Sequence, residues 1–279
     1  MSLPDFICIG AQKAGTTWLY HMLKQNPSIW LPPVKEIHYF DSGRLLPSRK
    51  IDKKEIYIKQ YKRTANLLKR TKLDEYKIDL EYYASLITDD ILTQAWYRRV
   101  FEHPHRVGRV AGEITPAYLD MNKNQVLRAT TLLSEAKFIA LIRDPLYRLA
   151  SQTRMLAKTL RTKNLTDQDW RLILEKLERN PRGRYQDSIA LWNKSAGEAR
   201  MLYLPFAMIK KDPKTVLAKV ESFIGAEPFD HYAAVDERKN VSVELEIPDW
   251  LMAKLIEQAE PAKAFIINQF GQEFYDLTK

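Results

Sequence analysis

Between Phe6 and Leu23 the chain sets a short apolar run, a glycine-bounded loop and an amphipathic stretch one after another. The loop reads Gly10-Ala11-Gln12-Lys13-Ala14-Gly15-Thr16-Thr17. Glycines let a backbone approach an anion, and the amides and N-terminus of a following helix supply partial positive charge. The chemistry implied is phosphate binding. The glycine spacing is that of the G-x-x-x-x-G-K-[ST] loop of triphosphate enzymes. Here Thr16 follows the second glycine, and the lysine lies inside the loop as Lys13. A lysine after the second glycine reaches the outer phosphates of a triphosphate. A lysine within the loop sits instead beside a single phosphate group and its leaving bond. The dinucleotide fingerprint G-x-G-x-x-G is absent.

Other reactive side chains are sparser. Lys137 to Ile142 is an apolar run that ends in Arg143-Asp144-Pro145. In a nucleotide kinase Asp144 would hold a metal, but its place just before proline is that of a helix N-cap. His103 and His105 flank Pro104 and are expected at the surface, not in a metal site. Cys8 is the one cysteine, which excludes an intramolecular disulfide framework and a cysteine-rich zinc site.

These groups need a scaffold, and the pattern supplies an α/β one. Strands are expected over 6–9, 107–114, 137–142 and 200–204. Helical periodicity covers 16–24, 126–133, 145–159, 167–178 and 184–196. A further helical stripe from Val216 ends at Gly225, and two closing helices are expected over 248–260 and 262–270. Strands separated by helices imply a central parallel sheet covered on both faces. With no linker or repeat in view, residues 1–279 read as a single domain.

Composition narrows the function classes. Hydrophobic residues are 45% and charged residues 28%, ordinary globular usage that excludes disordered and collagen-like chains. The net charge of +9 implies an anionic partner. Residues 44–77 hold twelve Lys/Arg against four Asp/Glu, so nearly all of the surplus sits there. A helix with a solvated basic face accounts for that segment, with Ile56, Ile58, Tyr61, Leu67 and Leu68 expected to turn inward. No nucleic-acid partner is needed to explain it. No run approaches the ~18 apolar residues of a membrane span, and the N-terminus has no signal-peptide pattern. The expectation is a soluble cytoplasmic protein without stable membrane insertion.

With these features in place, GAQKAGTTWL resembles the 5′-phosphosulfate loop of sulfotransferases that use 3′-phosphoadenosine 5′-phosphosulfate (PAPS). FIALIRDPLYRLAS resembles the second motif of that family, with Arg143 and Ser151 at its spacing. The resemblance implies that both bind the 3′-phosphate. Lys35-Glu36-Ile37-His38-Tyr39-Phe40-Asp41 resembles the K-E-x-H-F-F-D segment of heparan-sulfate-type and related bacterial members, in which the glutamate is the catalytic base. Glu113 to Tyr118 resembles the E-K-[ST]-P-A-Y strand end, with Ile114 in the lysine's place. Arg184-Tyr185 resembles the segment whose tyrosine stacks near adenine, and Phe270 to Leu277 the closing segment of bacterial members. Arg238-Lys239-Asn240 is the candidate for the loop that covers the nucleotide.

The resemblance thus implies a P-loop-type sulfotransferase fold and PAPS as co-substrate, with adenosine 3′,5′-bisphosphate (PAP) as product and no metal. Gln12, Lys13, Ala14, Gly15, Thr16, Thr17, Arg143, Ser151 and Tyr185 would hold the nucleotide. Lys13 would also act in catalysis, with Glu36 or His38 as base for a hydroxyl or amine acceptor, either a carbohydrate or a small metabolite. Trp30, Tyr39, Phe40, Trp96 and Tyr97 are candidates for an aromatic acceptor wall, although core packing suits most of them. The competing classes are a P-loop nucleotide kinase and a non-enzymatic basic protein that binds polyanions.

Overall fold

The computed structural model describes residues 3–42, 47–73, 75–160, 165–179, 182–235 and 245–279. Its centre is a sheet of five strands: β1 Phe6–Gly10, β2 Ile29–Trp30, β3 Val110–Ile114, β4 Lys137–Ile142 and β5 Met201–Pro205. Every neighbouring pair is parallel, in the order β2-β3-β1-β4-β5. All of β1 is buried, and so is β4 beyond its first residue, as a parallel sheet covered on both faces requires.

The helices are α1 Thr16–Leu23, α2 Pro47–Thr71, α3 Glu75–Leu86, α4 Gln94–Val100, α5 Lys123–Leu132 and α6 Pro145–Thr159. They continue as α7 Asp167–Arg179, α8 Tyr185–Ala196, α9 Met208–Lys211, α10 Pro213–Ile224, α11 Asp249–Phe270 and α12 Gln272–Asp276. From β1 the chain crosses to the edge strand β2 and returns to β3 beside β1, then adds β4 and β5 in turn on the other side. Strand order therefore changes direction at β1. The loops after β1, β3 and β4 open at one carboxyl edge, where ligands of such sheets bind.

Several elements depart from the sequence expectation. Val107 is 84% exposed and does not pair; β3 starts at Val110, after a 3₁₀ turn over Pro104–Arg106. β2 is two residues long, too short to show a period. α11 runs through Pro261 as one helix. Pro261 lies on its exposed face, where water can reach the carbonyl that the ring leaves unbonded. On α2 the inward residues are Lys53, Tyr57 and Thr64, whereas Ile56 and Tyr61 are exposed. The period is helical as expected, but a lysine holds a core position that hydrophobicity alone assigns to water. His103 is buried, not superficial: it stacks on Trp30 and pairs with Asp79 at 3.1 Å. Trp30, Tyr39, Phe40, Trp96 and Tyr97 are all buried in the core and line no open wall.

The closing segment resembles a bolt across the carboxyl edge. The amide of Asp144 donates to the carbonyl of Thr278 at 2.9 Å, and that of Ala207 to Leu277 at 2.8 Å. The Tyr275 hydroxyl donates to Asp144 Oδ2 at 2.7 Å. Asp144 Oδ1 accepts from the Tyr147 amide at 2.9 Å, capping α6. Both carboxylate oxygens of Asp144 are thus engaged in structure.

One close contact sets the spacing of β1 and β3. Gly112 pairs with Phe6, and a Cβ there would fall 2.3 Å from the Phe6 ring. Gly112→Ala is expected to cost about 1–3 kcal/mol through overpacking. Chemical denaturation measures it, and an unchanged midpoint would contradict this packing.

Candidate functional site

The loop between β1 and α1 has the form needed for an anion. Gly15 caps α1 in the left-handed region at φ 89°, and Lys13 lies there too at φ 71°. A Cβ on Gly15 would also come within 2.5 Å of Ile209 Cδ1, so a larger residue there would have to displace that side chain as well as adopt a strained backbone. The first-turn amides of α1 have no intrahelical acceptor and face outward from the helix end. Ala14 and Thr16 are buried, while Lys13 and Thr17 are half-buried.

Arg143, at the end of β4, joins this loop directly. Its Nη1 donates to the Lys13 carbonyl at 2.8 Å, and its guanidinium lies over the Phe206 ring at 4.6 Å. Its Nε is buried without a partner. Burial lowers the proton affinity of Lys13, and the neighbouring Arg143 adds to the fall. Burial likewise lowers that of Arg143, which stays charged as guanidinium does. Among the described residues no carboxylate forms an ion pair with either cation. Two adjacent, partly desolvated positive charges without a counterion fit a multiply charged anion.

The other nucleotide candidates lie around this pair. Gln12 Oε1 accepts from Arg182 Nη1. Ser151 is buried in the second turn of α6. Tyr185 is fully buried, and its hydroxyl accepts from the Arg143 amide at 3.3 Å and donates to the Arg143 carbonyl at 3.1 Å. It clamps the backbone of Arg143 and offers no open ring face. Arg148, which the sequence reading passed over, is buried beneath Gly183 and donates to Gln152 and to the Arg182 carbonyl. Arg238-Lys239-Asn240 lies outside the described residues.

A second group of side chains faces the loop from 35–41. Lys35 Nζ donates to Thr17 Oγ1 at 3.1 Å and to Glu36 Oε1 at 3.3 Å. Glu36 Oε2 lies 3.5 Å from His38 Nε2, and His38 Nδ1 lies 2.8 Å from Asp41 Oδ2. The polar chain Thr17–Lys35–Glu36–His38–Asp41 is therefore continuous. Residues two apart in an extended segment share a face, but the segment here is not extended. Glu36 and His38 meet with both in left-handed backbone, at φ 62° and 58°. Such a conformation costs a non-glycine residue about 1–3 kcal/mol and needs outside support.

That support comes from β3 and α4. Glu113 is buried and accepts from the Tyr97 hydroxyl at 2.6 Å and from Thr115 Oγ1 at 2.7 Å. Thr115 Oγ1 in turn accepts from the Ile37 amide at 3.0 Å. The Tyr118 hydroxyl accepts from the Tyr39 amide at 2.8 Å. Burial pushes Glu113 up to about 7, against the pull of those two donors. His38 behaves in the opposite way. Burial disfavours its charge, yet hydrogen bonds to Asp41 and Glu36 outweigh that and raise it to about 9. The His38 bond, with help from Lys35 and against burial, holds Glu36 below its usual value.

No group of three or more His, Cys, Asp or Glu among the described residues is arranged to hold a metal ion. Lys35, Lys53, Arg148 and Arg182 take part in the site without having been singled out from sequence. Lys35 had the one available signal, its place beside Glu36.

Comparison with known proteins gives a consistent picture. The model of the sulfotransferase family matches residues 4–231. A curated relative, the membrane-associated sulfotransferase kil1 of Dictyostelium discoideum, is 31% identical over 154 residues. That stretch is 54% of this chain but 23% of the relative's own length. A solved sulfotransferase from Alicyclobacillus acidocaldarius superposes with a TM-score of 0.68 at 20% identity, covering 100% of both chains. The sulfotransferase domain of the Synechococcus PCC 7002 olefin synthase gives 0.53 at 18% identity, covering 92% of this chain and 94% of that one.

The His38 array yields a pH prediction. A residue whose folded pKa is raised stabilises fully below its ordinary 6.5, and that stabilisation fades as pH climbs through about 9. Asp41→Asn is expected to lower the His38 midpoint, read by NMR titration of the ring. A midpoint unmoved by the substitution would contradict the array.

Proposed function

The chain belongs to the sulfotransferase family, and from that premise we propose that it moves the sulfuryl group of PAPS to a hydroxyl or amine of a carbohydrate or small-molecule acceptor. The observation that carries the reading is the Lys35 bridge. It joins the anion loop, through Thr17, to a carboxylate suited to take a proton. A nucleotide-binding cradle and a base on one hydrogen-bonded chain are the two halves that group transfer to an acceptor requires.

In this reading Lys13, the amides opening α1 and the hydroxyls of Thr16 and Thr17 hold the 5′-phosphosulfate. Arg143 and Ser151 hold the 3′-phosphate. Gln12, Ala14 and Gly15 shape the loop. Tyr185 serves by fixing Arg143 rather than by meeting adenine. Glu36 is the base rather than His38. A ring that keeps its proton to about 9 cannot accept another, whereas Glu36 is ionised at neutral pH. His38, charged, orients Glu36.

Transfer then runs in line. The acceptor oxygen bonds to sulfur, the bridging S–O bond breaks, and Glu36 takes the acceptor's proton. Lys13 neutralises the charge growing on the departing PAP oxygen. No step calls for a metal. Residues 1–279 are taken as one sulfotransferase domain, and nucleic acid has no part in its work. A cytoplasmic location belongs to the same reading; no helix of the described residues is long and apolar enough to cross a membrane.

Two measurements test this. PAP is expected to raise the melting temperature well above the effect of ATP with magnesium; the reverse ranking overturns the nucleotide assignment. Incubation with PAPS and a metabolite extract, followed by mass spectrometry, should show added sulfate. Lys13→Ala should abolish that signal, and Glu36→Gln should reduce it about 10²–10⁴-fold with PAP binding intact. Near-normal transfer in either variant removes its assigned role.

A further inference from the structure

α2 carries a basic run whose side chains are mostly in water, yet one of its lysines points the other way. Lys53 is 7% exposed, on the same helical face as the buried Tyr57 and Thr64. Its Nζ donates to the Glu36 carbonyl at 2.5 Å. The charged and titratable groups facing it are Glu36, His38 and Asp41 from the 35–41 segment and Glu113 from β3. On its own helix the neighbour one turn on is Tyr57, whose hydroxyl is buried without a partner.

A lysine is rarely buried unless it answers negative charge. Here three carboxyl groups surround it. The contact itself is not to a carboxylate, however, but to the backbone of the residue with the strained left-handed conformation. Thr115 and Tyr118 hold the amides of Ile37 and Tyr39 from one side. Lys53 holds the carbonyl of Glu36 from the other. The left-handed turn in which Glu36 lies beside His38 is thereby gripped on both sides.

We infer that Lys53 is a positioning residue for the acceptor base, holding the Glu36 backbone in the left-handed turn that brings the Glu36 carboxylate against His38. The inference rests on the reading of Glu36 as base. It gives the basic helix a task inside the site: α2 delivers a cation to the 35–41 segment from a separate element. Burial lowers Lys53 to about 8, with the surrounding carboxylates opposing the fall, so the ammonium is the main form at neutral pH.

The ring titration of His38 separates positioning from mere proximity by its sign. Lys53 as a nearby charge depresses His38. Removing only that charge would raise the His38 midpoint above about 9. Releasing the turn would loosen the Glu36 and Asp41 contacts and lower it. Lys53→Met is expected to bring the midpoint down by about 1 unit or more toward the ordinary ~6.5, with PAP affinity, by calorimetry, within about two-fold of wild type. A midpoint that stays or rises overturns the inference. Should the Met variant not fold, Lys53→Gln, neutral and polar, is read by the same sign. Failure of the underlying reading shows differently. If Glu36→Gln keeps near-normal transfer in the PAPS assay, the base assignment falls whatever Lys53 does. If that transfer is lost and the Lys53 variants leave the midpoint at about 9, only the present inference falls.

Discussion

A single carboxyl group buried at the end of β3 determines where the reactive segment can stand. Glu113 has no water to solvate it, and an unpaired buried polar group costs several kcal/mol. It is satisfied by Tyr97 and Thr115. Thr115 is thereby oriented to receive the Ile37 amide, and Tyr118 beside it receives that of Tyr39. The left-handed residues Glu36 and His38 lie next to these two anchored amides. Their conformation is tolerable because the surrounding bonds leave the backbone nowhere else to go. The burial of Tyr39, Phe40 and Tyr97, and the stacking of Tyr39 on Tyr97 at 4.2 Å, belong to the same anchoring.

The positive charge of the chain divides into two kinds that a net count merges. Lys13 and Arg143 lie side by side, and among the described residues no carboxylate forms an ion pair with either. Lys35 and Lys53, by contrast, are tied to protein acceptors, one bridging to a threonine and a carboxylate and the other to a carbonyl. The exposed remainder of α2 stays in water. The first kind lacks a carboxylate ion-pair partner among the described residues, the second is bonded within the protein, and the third faces water.

How much of this was legible in the sequence follows from the range of each signal. The anion loop is local: glycine spacing, an apolar strand before it and an amphipathic helix after it all lie within Phe6 to Leu23. The Arg143 strand end and its Asp-Pro cap are local too, and the structure places both oxygens of Asp144 in capping and tail contacts. The parallel sheet followed from the alternation of elements, and comparison with solved sulfotransferases bears the fold out. Lys53 was not legible. Its burial depends on α2 packing beside the 35–41 segment, and by type a lysine in a basic run reads as solvated. His103 misled for the same reason, since the Trp30 ring that covers it comes from β2, a strand too short to show itself. Tyr185 lies against the Arg143 backbone, and whether a ring meets a ligand or its hydroxyl grips a backbone is a matter of orientation that no spacing encodes.

Phe206, just past β5, lies against both Arg143 and the loop between β1 and α1. Its ring backs the Arg143 guanidinium, and it lies with Ile209 against the place where Gly15 lacks a side chain. A segment nearly two hundred residues downstream thus presses the loop into shape before any ligand arrives. For the proposed anion, a loop already packed in this way would spare the ordering cost that a flexible loop meets on binding. Affinity in such a cradle is governed by charge and hydrogen bonding rather than by lost conformational freedom. The shape of the loop thus depends on the packing behind β5 as well as on its own residues.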